Sequence, residues 1–105
     1  MNIKELAERL GLEEDEYLEL IELFIDTGSA DLERFRAAIE DGDGEEAAQA
    51  VHSLKGASGN LGLMDIYDLA RESEEKARSN SLDGLGESLE FLRQKLDALS
   101  EAARK

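Results

Sequence analysis

The sequence of 105 residues contains no cysteine, no proline and no tryptophan. Without cysteine the chain can form neither a disulfide nor a thiolate zinc site, and a redox function is excluded. Without proline, and with most glycines lying between periodic stretches, the sequence is typical of helices joined by short turns, with little or no sheet. Aromatic residues make up only 5% of the chain, so we expect a core of mainly aliphatic side chains.

Long apolar runs and positive charge are also scarce. No run approaches the roughly 20 apolar residues of a membrane-spanning helix, and the first residues lack the charged and apolar regions of a signal peptide, so we expect a cytoplasmic protein. The chain has 12 Lys and Arg against 26 Asp and Glu, a net charge of −14. Such an acidic surface repels phosphate backbones and anionic lipids, so neither nucleic acid nor a membrane is an expected partner. The length fits one domain over residues 1–105.

Apolar residues at spacings of three and four predict helices along the whole chain. The turn at 42–44 is too short for anything but an antiparallel return. We therefore expect an all-α fold, an antiparallel up-down four-helix bundle with a short extra N-terminal helix. The predicted segments are a short helix between a possible Asn2 cap and Gly11, a long helix from about Glu14 to Asp41 that could bend or break at Gly28, a third helix from Glu45 to about Leu61, a fourth from Met64 that fades at Ser79, and a fifth with leucines from Leu82 to Leu99.

The single histidine, His52, lies in the third predicted helix. On a helical wheel the apolar residues around Leu54 fall within roughly 60° of one direction, and His52 falls at about 160° from it, so its imidazole is expected in water. Its neighbours on that outer face are Glu45, Ala48, Gln49, Lys55, Gly56 and Gly59. Glycine inside a helix costs up to about 1 kcal/mol relative to alanine. The two glycines therefore either mark an early helix end or leave a bare surface on which another protein can reach His52.

An exposed imidazole with no second histidine and no orienting carboxylate in its segment has few chemical uses. Ser53 points about 100° away from His52, so a hydrolytic pair is not expected. The Glu-x-x-His pattern of carboxylate metal sites is missing because the residue three before His52 is Gln49, and no metal is assigned. A neutral imidazole is, however, a good nucleophile toward an activated phosphoryl group near pH 7. Lys55, one turn later, could place its ammonium against phosphate oxygens.

The segment from His52 to Gly62 resembles the signature of histidine-containing phosphotransfer (HPt) domains. In that pattern a His is followed at three and four positions by Lys-Gly, here Lys55 and Gly56, and then by a small residue, an aliphatic residue and Gly. The resemblance extends along most of the chain, through Phe24, the stripe from Leu32 to Ile39, the turn from Asp41 to Gly44, and Leu69, Ala70 and Glu74.

The resemblance implies a cytoplasmic four-helix bundle of two-component phosphorelays. His52 would accept a phosphoryl group from the phospho-aspartate of a response-regulator receiver domain and pass it on, with Lys55 as its charge partner. Gly56 and Gly59 would be the small residues that admit the receiver. The resemblance further implies no kinase or phosphatase activity, no cofactor in this chain and a magnesium ion held by the receiver. A sensor histidine kinase or hybrid kinase is the other expected partner.

Further roles follow for residues near the histidine. Gln49 and Ala48, on the outer face of the wheel, are expected to contact the partner. Ser58 faces the core, where we expect its hydroxyl to bond the carbonyl of Leu54. Leu23 falls on the outer side of the second helix and is a candidate partner contact. Aromatic and methionine side chains at helical spacing are expected in the core, namely Tyr17, Phe24, Phe35, Met64 and Tyr67.

Three other functions remain open at this stage. The first is a non-catalytic HPt-like docking or inhibitory module that binds a receiver or kinase without turnover, although an intact His-Lys-Gly motif argues against it. The second is the dimerisation hairpin of a histidine kinase, but the acid, arginine and proline usual after that histidine are missing. The third is a helical scaffold that dimerises through the leucine seam of the fifth helix. Four helices bury their apolar faces more simply against one another, so we expect a monomer.

Overall fold

The computed structural model describes residues 2–104, which form five α-helices and no β-strand. The helices are α1 (Ile3–Arg9), α2 (Glu14–Asp41), α3 (Gly44–Asn60), α4 (Met64–Arg78) and α5 (Leu85–Arg104). The helices α2 to α5 pack in a ring, each against the next and α5 against α2, while α1 packs on α2. The predicted all-α bundle with a short N-terminal helix is confirmed.

Polar caps and a left-handed glycine set the helix ends close to the predicted positions. The Asn2 side chain accepts from the N–H of Glu5 at 3.0 Å at the start of α1, and Asp43 caps α3 by accepting from the N–H of Glu46 at 3.1 Å. Gly42 ends α2 with a φ of +69°, a conformation that glycine adopts without strain. The chain therefore turns within two residues, and α3 returns antiparallel to α2.

The long helix α2 runs without a break through Gly28, where the sequence suggests a bend or break. Gly28 is buried, and a Cβ added there would lie 3.3 Å from Cδ1 of Leu54 and 3.5 Å from Cδ1 of Leu96. The hydroxyl of Thr27 donates to the carbonyl of Leu23 within the helix at 3.2 Å. The glycine therefore provides room where α3 and α5 approach α2, and it does not interrupt the helix.

The core is mainly aliphatic, and the aromatic side chains buried in it are Tyr17, Phe24 and Phe35. The predicted leucine seam of α5 lies inside the bundle, with side chains at most 5% exposed at Leu85, Leu92, Leu96 and Leu99. In the part of the chain that the structure describes, no helix has the length and apolar character needed to cross a membrane.

Met64 is 52% exposed, so its expected place in the core is wrong. It lies two residues before Ile66, which is about 200° away around the helix, and Ile66 takes the buried position. Tyr67 is half-buried, because its ring lies over the backbone of Gly59 at the α3–α4 contact.

Candidate functional site

His52 lies on the outward face of α3, and its side chain is 61% exposed. The exposure predicted from the helical wheel is confirmed. The helix continues to Asn60, so the interpretation of Gly56 and Gly59 as an early helix end is wrong. The imidazole therefore projects from a regular helix and is open to a second protein.

A carboxylate from another helix orients the imidazole. Oε2 of Glu74, on α4, lies 2.9 Å from Nδ1 of His52, and the Glu74 side chain is only 8% exposed. The expectation of an imidazole without an orienting carboxylate is therefore wrong, because the pair is separated by 22 residues and only the packing of α4 on α3 brings it together. An ionised carboxylate can only accept hydrogen bonds, so in the neutral form of the ring Nδ1 carries the proton and Nε2 keeps its lone pair.

Two cations share the same carboxylate. Nζ of Lys55 lies 2.7 Å from Oε1 of Glu74, while Nε and Nη2 of Arg78 donate to Oε2 at 2.9 and 2.7 Å. Arg78 follows Glu74 by one turn of α4, so both side chains lie on one strip of that helix. Lys55, predicted to reach toward a phosphate, is instead 25% exposed and paired with Glu74. Its direction on α3 is about 60° from that of His52, on the side where α4 packs.

Glu74 is ionised in this cluster. Burial by itself raises the pKa of its carboxyl group, but hydrogen bonds from Lys55, Arg78 and His52 outweigh burial and lower the pKa to about 2. Two positive side chains and one negative one, Lys55, Arg78 and Glu74, then give a net charge of +1 beside the imidazole, in a chain of net charge −14. Within residues 2–104, no group of three or more acidic or histidine side chains is arranged to hold a metal ion.

The predicted contact residues divide into exposed and buried ones. Gln49, Gly56 and Gly59 are exposed on the His52 face, as expected. Ala48 is fully buried, so its assignment to the partner surface is wrong. On the wheel Ala48 lies between Lys55 and Gly59, both of which meet α4, so the fourth helix covers this side of α3.

The two glycines near the histidine have different surroundings. A Cβ added at Gly56 would meet nothing within 4 Å, so this position is bare surface. A Cβ added at Gly59 would lie 3.2 Å from the ring of Tyr67, which gives Gly59 a packing role at the α3–α4 contact. The buried hydroxyl of Ser58 donates to the carbonyl of Lys55 at 3.0 Å, so the predicted bond to Leu54, one residue earlier, is wrong.

An apolar strip on α2 lies beside this face. Leu23 and Leu20 are 60% and 40% exposed, which confirms the predicted exposure of Leu23. Arg34, eleven residues after Leu23, lies within about 20° of it around the helix and bonds to Glu46 of α3 at 2.9 Å. The two helices are antiparallel, so eleven residues back from Arg34 on α2 corresponds to eleven residues on from Glu46 on α3. Leu23 therefore lies at the same height in the bundle as Ala57. The strip therefore borders the same surface of α3 that carries Gly56.

Known proteins resemble this chain in sequence and in fold. The family model described as the Hpt domain matches residues 19–102. The crystal structure of histidine-containing phosphotransfer protein B (HptB) from Pseudomonas aeruginosa PAO1 matches with a TM-score of 0.84 and 27% sequence identity, over 94% of this chain and 86% of that one. A search of curated protein sequences finds no match. His52, Lys55, Glu74 and Arg78 all lie within the range that the family model matches.

Proposed function

Because the chain belongs to the Hpt domain family, we propose that it relays a phosphoryl group between His52 and the phospho-aspartate of a response-regulator receiver domain. The observation that carries the proposal is the imidazole of His52, which is exposed while its Nδ1 is held by the buried carboxylate of Glu74 at 2.9 Å. This arrangement supports a nucleophile that is already in the correct tautomer before a partner arrives.

The chemistry requires only one lone pair from this chain. Nε2 of His52 attacks phosphorus, the N–P bond forms as the P–O bond to the aspartyl carboxylate breaks, and the carboxylate leaves with the electron pair. No base has to remove a proton from Nε2, because the ring proton is on Nδ1. The ring becomes positive as the N–P bond forms, and its Nδ1 proton stays in the hydrogen bond to Glu74.

Charge near the histidine supports phosphoryl transfer. The incoming group is strongly negative, and Lys55 and Arg78 form the cationic side of the cluster in an otherwise acidic chain. We assign Lys55 as the charge partner of the phosphoryl group. Magnesium and the remaining catalytic groups are assigned to the receiver, and no cofactor is assigned to this chain.

The partner surface in this proposal combines bare backbone with an apolar rim. Gly56 leaves bare surface near His52, Gln49 presents an exposed amide on the same face, and the strip of Leu20 and Leu23 borders them. An exposed apolar strip beside a small-residue surface is typical of a protein–protein contact. We therefore assign this face to the receiver, and a sensor histidine kinase or hybrid kinase supplies the phosphoryl group at the start of the relay.

The alternative function is a docking module that binds a receiver without turnover. Docking alone does not need an oriented nucleophile, so the bond between His52 and Glu74 favours transfer over docking.

A direct test is transfer of labelled phosphate. The full chain is mixed with a receiver domain charged by labelled acetyl phosphate, and acid-labile label is followed on the wild type, on His52→Gln and on Gln94→Ala, an exposed position on α5. We expect label on the wild type and Gln94→Ala and none on His52→Gln. Receivers that bind the chain but keep their phosphate would instead support docking.

A further inference from the structure

The carboxylate of Glu74 has more partners than an orienting group needs. It accepts from His52 and from both Lys55 and Arg78. Orientation of the imidazole requires only one acceptor oxygen at Nδ1, which a neutral glutamine side chain also offers. The negative charge at this position therefore has to be explained separately, through the two cations that it binds.

Neither cation has a second acidic partner within residues 2–104, where Lys55 and Arg78 form ion pairs with Glu74 alone. Both touch the same carboxylate as His52, so both stand beside the imidazole. A phosphoryl group on Nε2 would add roughly two negative charges beside this ring, and it would attract the same two cations. Glu74 and the phosphoryl group therefore compete for Lys55 and Arg78.

We propose that the charge of Glu74 sets how readily phospho-His52 gives up its phosphoryl group, by competing with that group for Lys55 and Arg78. The inference rests on the proposed function. In the donating step the N–P bond at Nε2 breaks, the bond from phosphorus to the receiver's aspartyl oxygen forms, and Nε2 regains its lone pair. The hold of Glu74 on the two cations favours this direction, because it weakens their attraction to the phosphoryl group. Glu74 is thus a positioning residue that also sets the transfer equilibrium.

The test is the equilibrium of phosphoryl exchange between the full chain and a receiver domain charged by labelled acetyl phosphate. Glu74→Gln keeps an acceptor for Nδ1 and frees both cations, so we expect the equilibrium to move about tenfold or more toward phospho-His52. Glu75→Gln is the matched control, since its side chain is 69% exposed and its ion-pair partner is Arg71, at 4.0 Å. The control removes the same charge outside the cluster and should change the equilibrium less than about twofold.

Two further variants separate the cations from the carboxylate. In Glu74→Gln with Lys55→Gln the cluster returns to a net charge of +1, so the equilibrium should return close to that of the wild type. Arg78→Gln alone should move the equilibrium about threefold or more away from phospho-His52. Arg78 is 56% exposed, so we expect Arg78→Gln to fold. This variant therefore tests the proposal even if Glu74→Gln does not fold.

Nitrogen NMR of the His52 ring distinguishes charge from orientation. The tautomer with the proton on Nδ1 should persist in Glu74→Gln and be lost in Glu74→Ala. A wild type that takes no label overturns the proposed function and this inference with it. If the wild type takes label but the exchange equilibrium of Glu74→Gln equals that of Glu75→Gln, this inference alone is overturned. It is also overturned if the equilibrium of the double variant stays shifted toward phospho-His52.

Discussion

The hydroxyl of Tyr17 joins the start of α2 to the end of α3. It is fully buried and donates to the carbonyl of Leu61 at 2.6 Å. The last carbonyls of a helix lack partners within the helix, so an outside donor satisfies one of them. Burial also raises the pKa of the Tyr17 phenol, which keeps the group a donor at neutral pH.

Replacing Tyr17 with phenylalanine should destabilise the fold, because the buried carbonyl of Leu61 loses its donor. We expect Tyr17→Phe to lower the free energy of unfolding by about 1–2 kcal/mol in urea titrations. Tyr67→Phe is the control, since Tyr67 is only half-buried, and it should change the value by less than about 0.5 kcal/mol. Equal effects of the two changes would contradict this role of the Tyr17 hydroxyl.

Ionisation of Glu74 makes the free energy of unfolding depend on pH in the acid range. Its pKa falls from 4.5 to about 2 in the folded state, so the unfolded chain binds the proton more readily. The stabilisation is therefore complete above about pH 5 and is lost as the pH falls toward 2. Because Arg78 and His52 are more than half exposed, solvent weakens the effect, and we expect about 1–3 kcal/mol.

The measurement is the free energy of unfolding of the wild type and of Glu74→Gln at a series of pH values from 6 down to about 2.5. The wild type should lose more stability than the variant over this range, so their difference should shrink in acid. Parallel pH profiles for the two proteins would show that the cluster adds no stability.

Local sequence determines where the helices end, and packing determines which of their side chains are buried. Asn2 and Asp43 cap α1 and α3, and Gly42 ends α2, so the ends of these helices lie near the predicted ones. Packing along α3 was predicted less well. The wheel gives one core direction, but α4 covers a second side of the helix, and Ala48 is buried there.

Alanine at two glycine positions of α3 should change the free energy of unfolding in opposite directions. A Cβ at Gly44 would lie 2.9 Å from the carbonyl oxygen of Ala77, which is backbone and cannot move easily, whereas Gly56 is open. We expect Gly44→Ala to lower the free energy of unfolding by about 1–3 kcal/mol, and Gly56→Ala to raise it by up to about 1 kcal/mol. Urea titrations of both variants test this pair. A stabilised Gly44→Ala would mean that the end of α4 gives way without cost.

The whole molecule buries the apolar seam that a dimer would need. The leucines of α5 face α2 and α4 inside the bundle, and Leu85 and Leu99 are fully buried. A net charge of −14 adds repulsion between copies. We expect sedimentation equilibrium to give the monomer mass of 11.6 kDa at micromolar concentration in low and moderate salt. A mass twice as large would contradict the monomer and support the dimeric scaffold as a function.

The sequence by itself determined the fold class, the ends of most helices and the exposure of His52. These depend on neighbours within one or two turns, such as the three-and-four spacing of apolar residues, the caps and the turn at Gly42. The His-Lys-Gly motif is equally local, since Lys55 and Gly56 follow His52 directly on one helix.

Only the tertiary structure decided what surrounds the histidine. From the sequence Glu74 is only a position of resemblance, because no spacing within one helix connects it with a residue 22 positions earlier. The packing of α4 on α3 brings the carboxylate to Nδ1, places Lys55 beside it and buries Ala48. Contacts between helices depend on how their faces fit together, and a single helical wheel does not contain that information.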